Sequence, residues 1–434
     1  MKTLLVRKAI FAVGIWALNG TIASGDLRSQ SHYLVYPFRP PYRGQVSQQL
    51  VVPKTILTFN FLNGGYPNTG VLPLNGALYG GVVDGFANAT GGLFVLTPSR
   101  IDRNYWMWSW LTEAAAYTAP LIASGGVLYG SSSSGGAFDA GFVFSVTPNG
   151  QLNDLFDFNF AHLDDGCLPY SSVLVSAHVL YGTTGSCGSG SGGTIFALTP
   201  PQVTIGSSPG QWNLVTLHSF AREPDGSGPS AITSYNGTIV GTTESGGTHN
   251  TGTVFSINPD GSNYQIIYNF VGQGGPSGGL ITLGNSLVGT AALEGFYGNV
   301  FELTPTFGGG WSYASLYTFA GGTDGALPRG LLNYQGALYG TTFNGGVNNL
   351  CADGVGCGTI FKLTPPREGE GPGWHEMQLV TFTGGADGQF PVGPLAPFGG
   401  LLYGATERGG GYGYGTVFSI NTTGFVPAPQ TRRR

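Results

Sequence analysis

Charged residues are scarce in this sequence of 434 residues: Asp, Glu, Lys and Arg together make up 9%, and the formal net charge is −5. In an average soluble protein about a quarter of the residues are charged. Nucleic-acid binding requires clustered Lys and Arg that displace counterions from phosphates. The body of the chain lacks such a cluster, and the basic run Arg432–Arg434 stands alone at the end. We therefore expect no DNA or RNA partner.

Long hydrophobic runs are also rare. The run Ala9–Leu18 has ten residues, whereas a membrane-spanning helix needs about 20, so a membrane anchor is the weaker of two interpretations. The run follows Lys2, Arg7 and Lys8 and precedes the small residues of segment 21–23, which is the pattern of a cleaved export signal. We predict a signal peptide over residues 1–24, a secreted (extracellular or periplasmic) protein, and no membrane span in the mature chain.

Cysteine is sparse, with four residues. An even number in an exported protein favours two disulfides over free or metal-bound thiols. A zinc site needs closely spaced Cys or His ligands, and none are evident. We predict no metal site and no cofactor.

Glycine is abundant instead: the sequence has 76 Gly and 27 Pro, together with 41% hydrophobic and 13% aromatic residues. This apolar content is enough to bury a core, so the glycine does not indicate disorder. The block G-x-L-Y-G-T-T, a Gly/Ser-rich stretch and G-T-[VI]-F-x-[LI]-T-P occur together seven times. The phenylalanine of the second half is Phe94, Phe144, Phe196, Phe255, Phe301, Phe361 and Phe418.

A second block lies between these copies: an alternating run that ends in Phe or Tyr, a D-G-x-x-P turn, and the next strand. Each repeat of about 50 residues therefore contains four short strands separated by turns, which is typical of a β-propeller blade. A β-helix or other solenoid is the alternative, but rungs of about 20–30 residues fit four turn signals less well.

The phase of the repeat predicts ring closure. The first strand, 55–61, has the sequence of a fourth strand, and the last, near 416–420, that of a third strand. We predict an all-β fold: a seven-bladed β-propeller of four-stranded antiparallel blades, in which strand 55–61 completes the last blade. The predicted domains are an irregular N-terminal segment (25–54), the propeller (55–420) and a disordered C-terminal tail (421–434).

The pattern L-Y-G-T-T-x-x-G-G-x-x-x-x-G-T-[VI]-F-x-L-T-P resembles the choice-of-anchor (GloVer) tandem extracellular repeat of bacterial exported proteins. The resemblance covers about residues 55–420 and is strongest in copies three, four, six and seven. It implies export and a repeat fold, and it carries no activity or catalytic residues. The tail VPAPQTRRR has no apolar span between its proline and arginine flanks, so we expect a released protein.

The propeller topology places the loops between strands two and three on the same face as the crossovers between blades. We call this the loop face. Cys167 lies in the crossover that enters the third blade and Cys187 in that blade's loop, so we predict the disulfide Cys167–Cys187. Cys351 and Cys357 share one long loop of the sixth blade, so we predict a local disulfide there.

Each aspartate of the D-G-x-x-P turns has two interpretations, calcium ligation or capping of a tight turn. These residues are Asp165, Asp225, Asp324 and Asp387. No D-x-D-x-D spacing accompanies them, so we favour the turn.

The binding site is predicted on the loop face, where polar and aromatic loop residues could surround the central depression. These candidates are His162, Asp164, Asp165, Glu244, His249, Glu294, Tyr297, Glu407, Arg408 and Tyr412. A histidine near carboxylates can act as a general base, whereas exposed rings are typical of sugar or protein contacts. The patch Trp106, Trp108 and Trp110 is either a space-filling outer strand or an exposed contact surface.

Function is left with three hypotheses. The first is a secreted, non-catalytic, monomeric propeller that binds an extracellular carbohydrate or protein through its loop face. The second is an extracellular enzyme acting on polysaccharides, a glycosidase or lyase. The third is a structural surface or matrix protein. Two converging carboxylates, or His with Tyr or Arg, at the axis would favour the enzyme, and an aromatic platform would favour the binder.

Overall fold

The structure is a computed structural model. It describes residues 50–60, 62–84, 91–102, 105–112, 119–201, 212–272, 274–292, 297–346, 351, 354–369 and 373–422. The predicted signal peptide, most of the segment 25–54 and nearly all of the predicted tail lie outside these residues. The strands are β1 (Lys54–Thr58), β2 (Gly65–Pro67), β3 (Leu72–Leu74), β4 (Ala77–Asp84), β5 (Gly92–Pro98), β6 (Trp106–Thr112), β7 (Ile122–Ser124), β8 (Val127–Ser132), β9 (Phe142–Val146), β10 (Leu152–Asp157), β11 (Leu174–Ser176), β12 (Val179–Thr184), β13 (Thr194–Thr199), β14 (Asn213–Ser219), β15 (Ser227–Tyr235), β16 (Thr238–Ser245), β17 (Thr253–Ile257), β18 (Gln265–Asn269), β19 (Ile281–Leu283), β20 (Ser286–Ala291), β21 (Asn299–Pro305), β22 (Trp311–Thr318), β23 (Ala326–Tyr334), β24 (Ala337–Asn344), β25 (Thr359–Thr364), β26 (His375–Thr381), β27 (Gln389–Phe398), β28 (Leu401–Arg408) and β29 (Thr416–Ile420).

These strands form seven antiparallel sheets arranged in a ring, which confirms the predicted propeller. From the inside outwards, the blades are β2/β3-β4-β5-β6, β7-β8-β9-β10, β11-β12-β13-β14, β15-β16-β17-β18, β19-β20-β21-β22, β23-β24-β25-β26 and β27-β28-β29-β1. In the first blade, β2 and β3 both pair with β4 and form one interrupted inner strand. Among the described residues the only helices are two 3₁₀ turns, Leu163–Asp165 and Gly322–Asp324.

The seventh blade is completed by β1, as the phase of the repeat predicts. Thr55 lies opposite Phe418 and Thr58 opposite Thr416 in an antiparallel pair. The ring is also closed near the axis, because the Tyr66 N–H donates to the Tyr414 carbonyl at 2.8 Å. The sheet edge of β29 is thereby covered, which removes a template for pairing with other chains.

The third position of L-Y-G must be glycine because a phenylalanine ring lies directly over its backbone. In every blade this glycine on the second strand is directly opposite the phenylalanine of the third strand, as Gly340 is opposite Phe361. A Cβ built at Gly340 would lie 2.4 Å from Phe361 Cζ, well inside van der Waals contact. The same overlap of 2.4–2.6 Å occurs at Gly80, Gly130, Gly182, Gly241, Gly289, Gly340 and Gly404. The motif thus encodes a fully buried ring packed on a bare backbone.

The threonines of the motif form a buried hydroxyl pair. Thr342 Oγ1 and Thr359 Oγ1 are 2.8 Å apart, and Thr342 Oγ1 also accepts the Thr359 N–H at 3.1 Å. Equivalent pairs join Thr184 to Thr194, Thr243 to Thr253 and Thr406 to Thr416. These are the pairs of copies three, four, six and seven, the ones that fit the sequence motif best. Buried hydroxyls are stable here because each finds a partner.

The aspartates of the D-G-x-x-P turns cap those turns. Asp225, Asp324 and Asp387 each accept the backbone N–H of the residue four positions earlier, at 2.7–3.0 Å. Asp165 contributes its backbone carbonyl instead, which accepts the Thr194 hydroxyl at 3.2 Å. The turn interpretation, which sequence favoured over calcium ligation, accounts for these contacts.

The proline of each turn, which we call the turn proline, packs against the preceding blade. A Cβ built at Gly298 would lie 2.4 Å from Pro328 Cδ, and one at Gly415 would lie 2.6 Å from Pro67 Cδ. The residue before the turn proline has a positive φ in five blades, at Tyr66, Leu168, Gly228, Leu327 and Phe390. Each donates its N–H to a loop carbonyl of the preceding blade, at Tyr414, Ala140, Gly192, Tyr297 and Cys357 respectively. Crossovers and loops therefore share one face.

Both predicted disulfides are present, Cys167–Cys187 and Cys351–Cys357, and no described cysteine is free. The first joins a crossover to the loop of the same blade, and the second closes a loop of six residues. Disulfides persist in oxidising compartments and are rare in the cytosol. The two bonds therefore indicate a non-cytoplasmic protein.

Small residues let the inner strands meet at the axis. A Cβ at Gly330 would lie 2.4 Å from Pro394 N, and one at Gly70 would lie 2.6 Å from the Pro394 carbonyl oxygen. A Cβ at Gly278 would in turn lie 3.3 Å from Gly330 N. The positions two or three residues after the turn proline are thus next to the axis, and the residue before the turn proline marks the rim on the loop face.

Candidate functional site

Residues beside the turn prolines and at the ends of the second strands form a group around the axis on the loop face. They belong to blades three and four on one side and to blades six and seven on the other. We call this group the axial cluster; it consists of Tyr170, Glu244, Arg329, Phe343, Phe390 and Glu407. It is built from the variable positions of the repeat, since the surrounding Gly, Thr and Pro positions are used for packing.

On the first side, Tyr170 and Glu244 are joined by a side-chain hydrogen bond. Tyr170 follows the turn proline of blade three, and its ring lies where a Cβ at Gly185 would come within 1.9 Å of it. Burial raises the pKa of the Tyr170 hydroxyl above its ordinary value, and the charge of Glu244 and the hydrogen bond raise it further. Tyr170 is therefore a protonated donor to the carboxylate.

Glu244 combines solvent access with a partly desolvated carboxyl. Its side chain is exposed, but the protein around it raises the pKa of the carboxyl, an effect that the Tyr170 hydrogen bond opposes. Nearby protein thus disfavours the charged form of a carboxyl that water still reaches. Perturbed carboxyls of this kind are frequent in binding and catalytic sites.

On the opposite side, Arg329 and two phenylalanines form a stack. The Arg329 guanidinium carbon is 4.0 Å from the Phe343 ring centroid, and Phe343 lies on Phe390 with centroids 4.6 Å apart and an interplanar angle of 16°. The ring holds the flat guanidinium by a cation–π contact. Burial lowers the pKa of Arg329, while the negative charge of Glu407 counteracts this effect.

Glu407 is close enough to influence Arg329 but makes its ion pair elsewhere. Its Oε1 is 3.5 Å from Nε of Arg408, the exposed neighbour in sequence. Within the part of the chain that the structure describes, no carboxylate lies within 4 Å of the Arg329 guanidinium. The Arg329 N–H donors are thus directed to solvent or to a ligand.

The predicted residues His162, Asp164 and Asp165 lie at the 3₁₀ turn Leu163–Asp165, which packs against β14, the outer strand of blade three. The Asp164 carbonyl accepts the Thr216 hydroxyl of that strand at 3.1 Å. His162 and Asp164 are exposed. The three residues are therefore next to an outer strand and apart from the axial cluster, and their predicted binding role stays a prediction.

The other predicted residues are divided between the axis and the loop tips. Glu244 and Glu407 belong to the axial cluster, and Arg408 lies beside it. His249 is exposed and bonds its neighbour Thr248 at 2.9 Å. Tyr297 and Tyr412 are exposed by 44% and 66%, and Glu294 lies outside the described residues. Among the residues placed by the structure, no side-chain hydrogen bond joins His162, Asp165, His249 and Arg408 to one another; the Asp165 backbone N–H donates to the His162 carbonyl at 3.2 Å within the 3₁₀ turn.

A second polar cluster lies between the outer strands of blades three and four. Asp225 accepts from Tyr264 at 2.6 Å and is 3.0 Å from His218 Nε2. His218 and Tyr264 stack with centroids 3.6 Å apart. Tyr268 and Tyr313 stack in the same way between blades four and five, so the repeat itself explains this arrangement as inter-blade packing. The pKa of Asp225 is low because hydrogen bonds from His218, Tyr264 and Ala221 outweigh its burial.

The tryptophan patch is a space-filling outer strand. Trp106, Trp108 and Trp110 alternate on β6 and are half-buried against the apolar cluster of blades one and seven. Trp106 contacts Tyr403 with centroids 5.6 Å apart. Between them, Met107 is exposed by 53%. The patch therefore stabilises the junction that closes the ring.

Two shallow cavities lie away from the axis. One of about 450 Å³ lies between β1 and the turn before β6, near Lys54 and Tyr105, and one of about 370 Å³ lies near Asn258 and Tyr264. The first is lined by Lys54 of blade seven and Asp102 of blade one, and the second by no charged side chain. The axial cluster contains charged groups whose pKa values are shifted, Glu244 and Arg329, so it is the stronger candidate site. Among the residues described, no group of three His, Cys, Asp or Glu side chains could hold a metal ion. No described helix has the length and apolarity required to cross a bilayer.

Sequence reasoning missed Tyr170, Arg329 and Phe390. All three are next to a turn proline in sequence, where nothing distinguishes them from ordinary turn residues. The signal that could have found two of them is that the residue after the turn proline differs from one repeat to the next. In chain order it is Asn68, Leu121, Tyr170, Ser230, Ser277, Arg329 and Val392. In a radial repeat, a position that is free to vary and lies next to the axis is suited to ligand contact.

The fold defines the chain as a seven-bladed β-propeller, and the axial cluster is its candidate site. The sequence model of the Gloeobacter/Verrucomicrobia repeat matches residues 29–205 and 66–299. The chain belongs to this family. No curated protein sequence matches it.

Solved structures of other proteins show a more distant likeness. A puromycin hydrolase mutant complexed with PGG has a TM-score of 0.46 and 10% identity, over 83% of this chain and 52% of that chain. An ancestral GH74 enzyme has a TM-score of 0.42 and 12% identity, over 71% of this chain and 41% of that chain. The chain spans about half the length of these structures or less. No activity is assigned from them.

Proposed function

We propose that this chain is an exported glycan-binding protein whose ligand occupies the axial cluster. The observation that carries the proposal is the Arg329–Phe343–Phe390 stack of blades six and seven, together with the Tyr170–Glu244 pair at the equivalent positions of blades three and four. Carboxylates accept hydrogen bonds from sugar hydroxyls, and the guanidinium and the tyrosine hydroxyl donate them. Phe343 and the buried Phe390 hold the guanidinium in place for such a contact. Export is supported by the two disulfides and the N-terminal signal pattern.

A glycan suits this site better than a protein partner does. The groups are side chains beside the turn prolines and at the ends of the second strands, a small part of the loop face that suits a compact ligand. Protein interfaces bury about 800 Å² on each partner around aromatic anchors. The exposed rings of the loop face, Tyr297 and Tyr412, are instead single side chains on separate loops.

Binding to a glycan array, followed by calorimetric titration of each ligand found, tests the proposal. We expect Glu244→Gln and Tyr170→Phe to weaken binding by at least about tenfold, since each removes one partner of a desolvated hydrogen bond. Glu223→Gln is the matched control, because Glu223 is an exposed carboxylate on a turn of the same face. Absence of binding to every glycan, or equal loss in the control, would contradict the proposal.

A polysaccharide-cleaving activity is a second candidate, favoured by one observation. Glu244 has a raised carboxyl pKa and a hydrogen bond from Tyr170, and a carboxyl in this state can transfer protons in catalysis. The test is the release of new reducing ends from mixed polysaccharides. Release by the wild type and its loss in Glu244→Gln would support an enzyme, and binding without release would support the binder.

A further inference from the structure

The Arg329 side chain is a charged group that makes no ion pair within 4 Å among the described residues, although the charge of Glu407 acts on it from further away. It is half-buried beside the axis, its guanidinium lies 4.0 Å from the Phe343 centroid, and among the described residues no carboxylate pairs with it. A buried or half-buried charge is costly unless it is paired. The fold therefore keeps a cation in place that its own contacts do not satisfy.

The orientation of this cation is fixed by the stack. Phe343 lies against the guanidinium and is supported by Phe390 at 4.6 Å and 16°. A ring against the flat side of a guanidinium leaves the N–H groups at its edge available. These donors form a planar fork that matches a carboxylate, with two parallel hydrogen bonds.

Building on the proposed function, we infer that the glycan carries a carboxylate and that Arg329 binds it, so that the ligand class is a uronic-acid-containing oligosaccharide. The opposite side of the axis fits the rest of such a ligand, because Glu244 accepts from hydroxyls and Tyr170 is a protonated donor. One unpaired guanidinium per site corresponds to recognition of one acidic sugar.

The charge of the whole chain excludes a different acidic ligand. Heavily sulfated polysaccharides bind through many cations at once. This chain has 17 Lys and Arg among 434 residues and a net charge of −5. Local recognition by Arg329 therefore favours a carboxylate over a sulfated polyanion, and the binding is expected to depend only weakly on salt.

The test is calorimetric titration of the full chain with oligogalacturonides, with their methyl esters, with neutral cello-oligosaccharides and with sulfated dextran. We expect the free acid to bind at least about tenfold more tightly than the methyl ester, which has the same size but no charge. Arg329→Gln should abolish that difference and Arg329→Lys should retain part of it. Arg222→Gln is the control, because Arg222 is an exposed cation of the same face outside the axial cluster.

The outcomes separate the two proposals. Equal affinity for acid and ester, tighter binding of sulfated dextran, or an unaltered preference in Arg329→Gln would overturn the carboxylate inference while glycan binding stands. Failure of all four probes together with a blank glycan array would overturn the proposed function itself. Thermal unfolding of each variant checks folding, and Arg329→Lys keeps the test decisive if Arg329→Gln does not fold.

Discussion

The interior of the blades and the rim of the axis differ in how they use the repeat. Between the second and third strands, the glycine–phenylalanine contact recurs in all seven blades, at 2.4–2.6 Å for a built Cβ. Beside the turn prolines, the equivalent residue is Tyr170 in one blade, Arg329 in another and Val392 in a third. The interior is therefore constrained by packing seven times over, whereas the rim is free to acquire a ligand-specific set of groups.

In a radial repeat, the residues needed for stability and the residues needed for binding occupy different kinds of position. A residue that repeats is needed by every sheet, and its replacement should lower stability without changing specificity. A residue that varies at the axis is needed by the ligand, and its replacement should change binding without lowering stability. Substitutions at both kinds of position test this division between stability and binding, and the largest loss of stability is expected in the blade interior.

Truncation of the buried ring should be the most damaging change. Phe361 is fully buried and lies 5.1 Å from Phe319, centroid to centroid. Phe361→Ala should lower the free energy of unfolding by about 3–5 kcal/mol, since it removes the ring and leaves a cavity. Denaturant titration followed by fluorescence measures the change. Phe138→Ala is the control, because that ring is 53% exposed, and a comparable loss there would contradict the interpretation.

Addition of one methyl group at the glycine opposite Phe361 should lower the free energy of unfolding by a smaller amount, through the same ring contact. Gly340→Ala puts a Cβ 2.4 Å from Phe361 Cζ, and overpacking of this kind destabilises by about 1–3 kcal/mol. Gly308→Ala, where a Cβ meets nothing within 4 Å, should be nearly neutral. Equal melting temperatures for the two variants would show that the ring can move aside.

The Asp225 cluster should make stability depend on pH in the acid range. The pKa of Asp225 is lower in the folded state than its ordinary value of about 3.9. The ionised carboxylate therefore contributes stability above about pH 4, and this contribution is lost as pH falls through the folded-state pKa. Asp225→Asn should lose about 1–2 kcal/mol at pH 7 and progressively less as the pH falls below about 4, as urea titrations over a series of acid pH values would show. The matched control, Glu223→Gln, should show no such difference, and a pH-independent loss in Asp225→Asn would be inconsistent with this linkage.

A rim substitution should have the smallest effect on stability. Glu407→Gln removes a partly exposed charge and should alter the free energy of unfolding by no more than about 0.5 kcal/mol. Because Glu407 lies near Arg329, its neutralisation should tighten the binding of a uronate a few-fold through lost repulsion. Titration of oligogalacturonide into this variant and into the wild type measures the difference. Weaker uronate binding would mean that Glu407 itself contacts the ligand.

The fold was predictable because its determinants repeat. Seven copies of one pattern fix the strands, and a fourth strand that precedes the first complete blade fixes the closure by β1. The first disulfide was predictable from topology, since the order of strands in the repeat puts Cys167 and Cys187 on the same face of the ring. Each of these inferences used a feature that seven sheets or one ring must share.

The site was only partly predictable, and the reason is geometric. Glu244 and Glu407 were predicted because each lies where a second strand meets the loop that follows it, and the repeat assigns that loop to the loop face. His162 was chosen for its chemistry, but the 3₁₀ turn carries it to the outer strand β14. Arg329 was overlooked because the direction of a side chain beside a turn proline depends on the positive φ of the residue before it, which is Leu327 at 55°. No sequence pattern marks a leucine for that conformation.

The pairing of β1 with β29 also governs the order of assembly. Thr55 donates its hydroxyl to the Ala386 carbonyl across 331 residues of sequence, so the strand that leaves the ribosome early waits for partners that are made late. Until then β1 has no partner and can pair with any passing strand, and contacts this distant form slowly. The same junction that closes the finished ring is thus the point at which a half-made molecule is most exposed to aggregation.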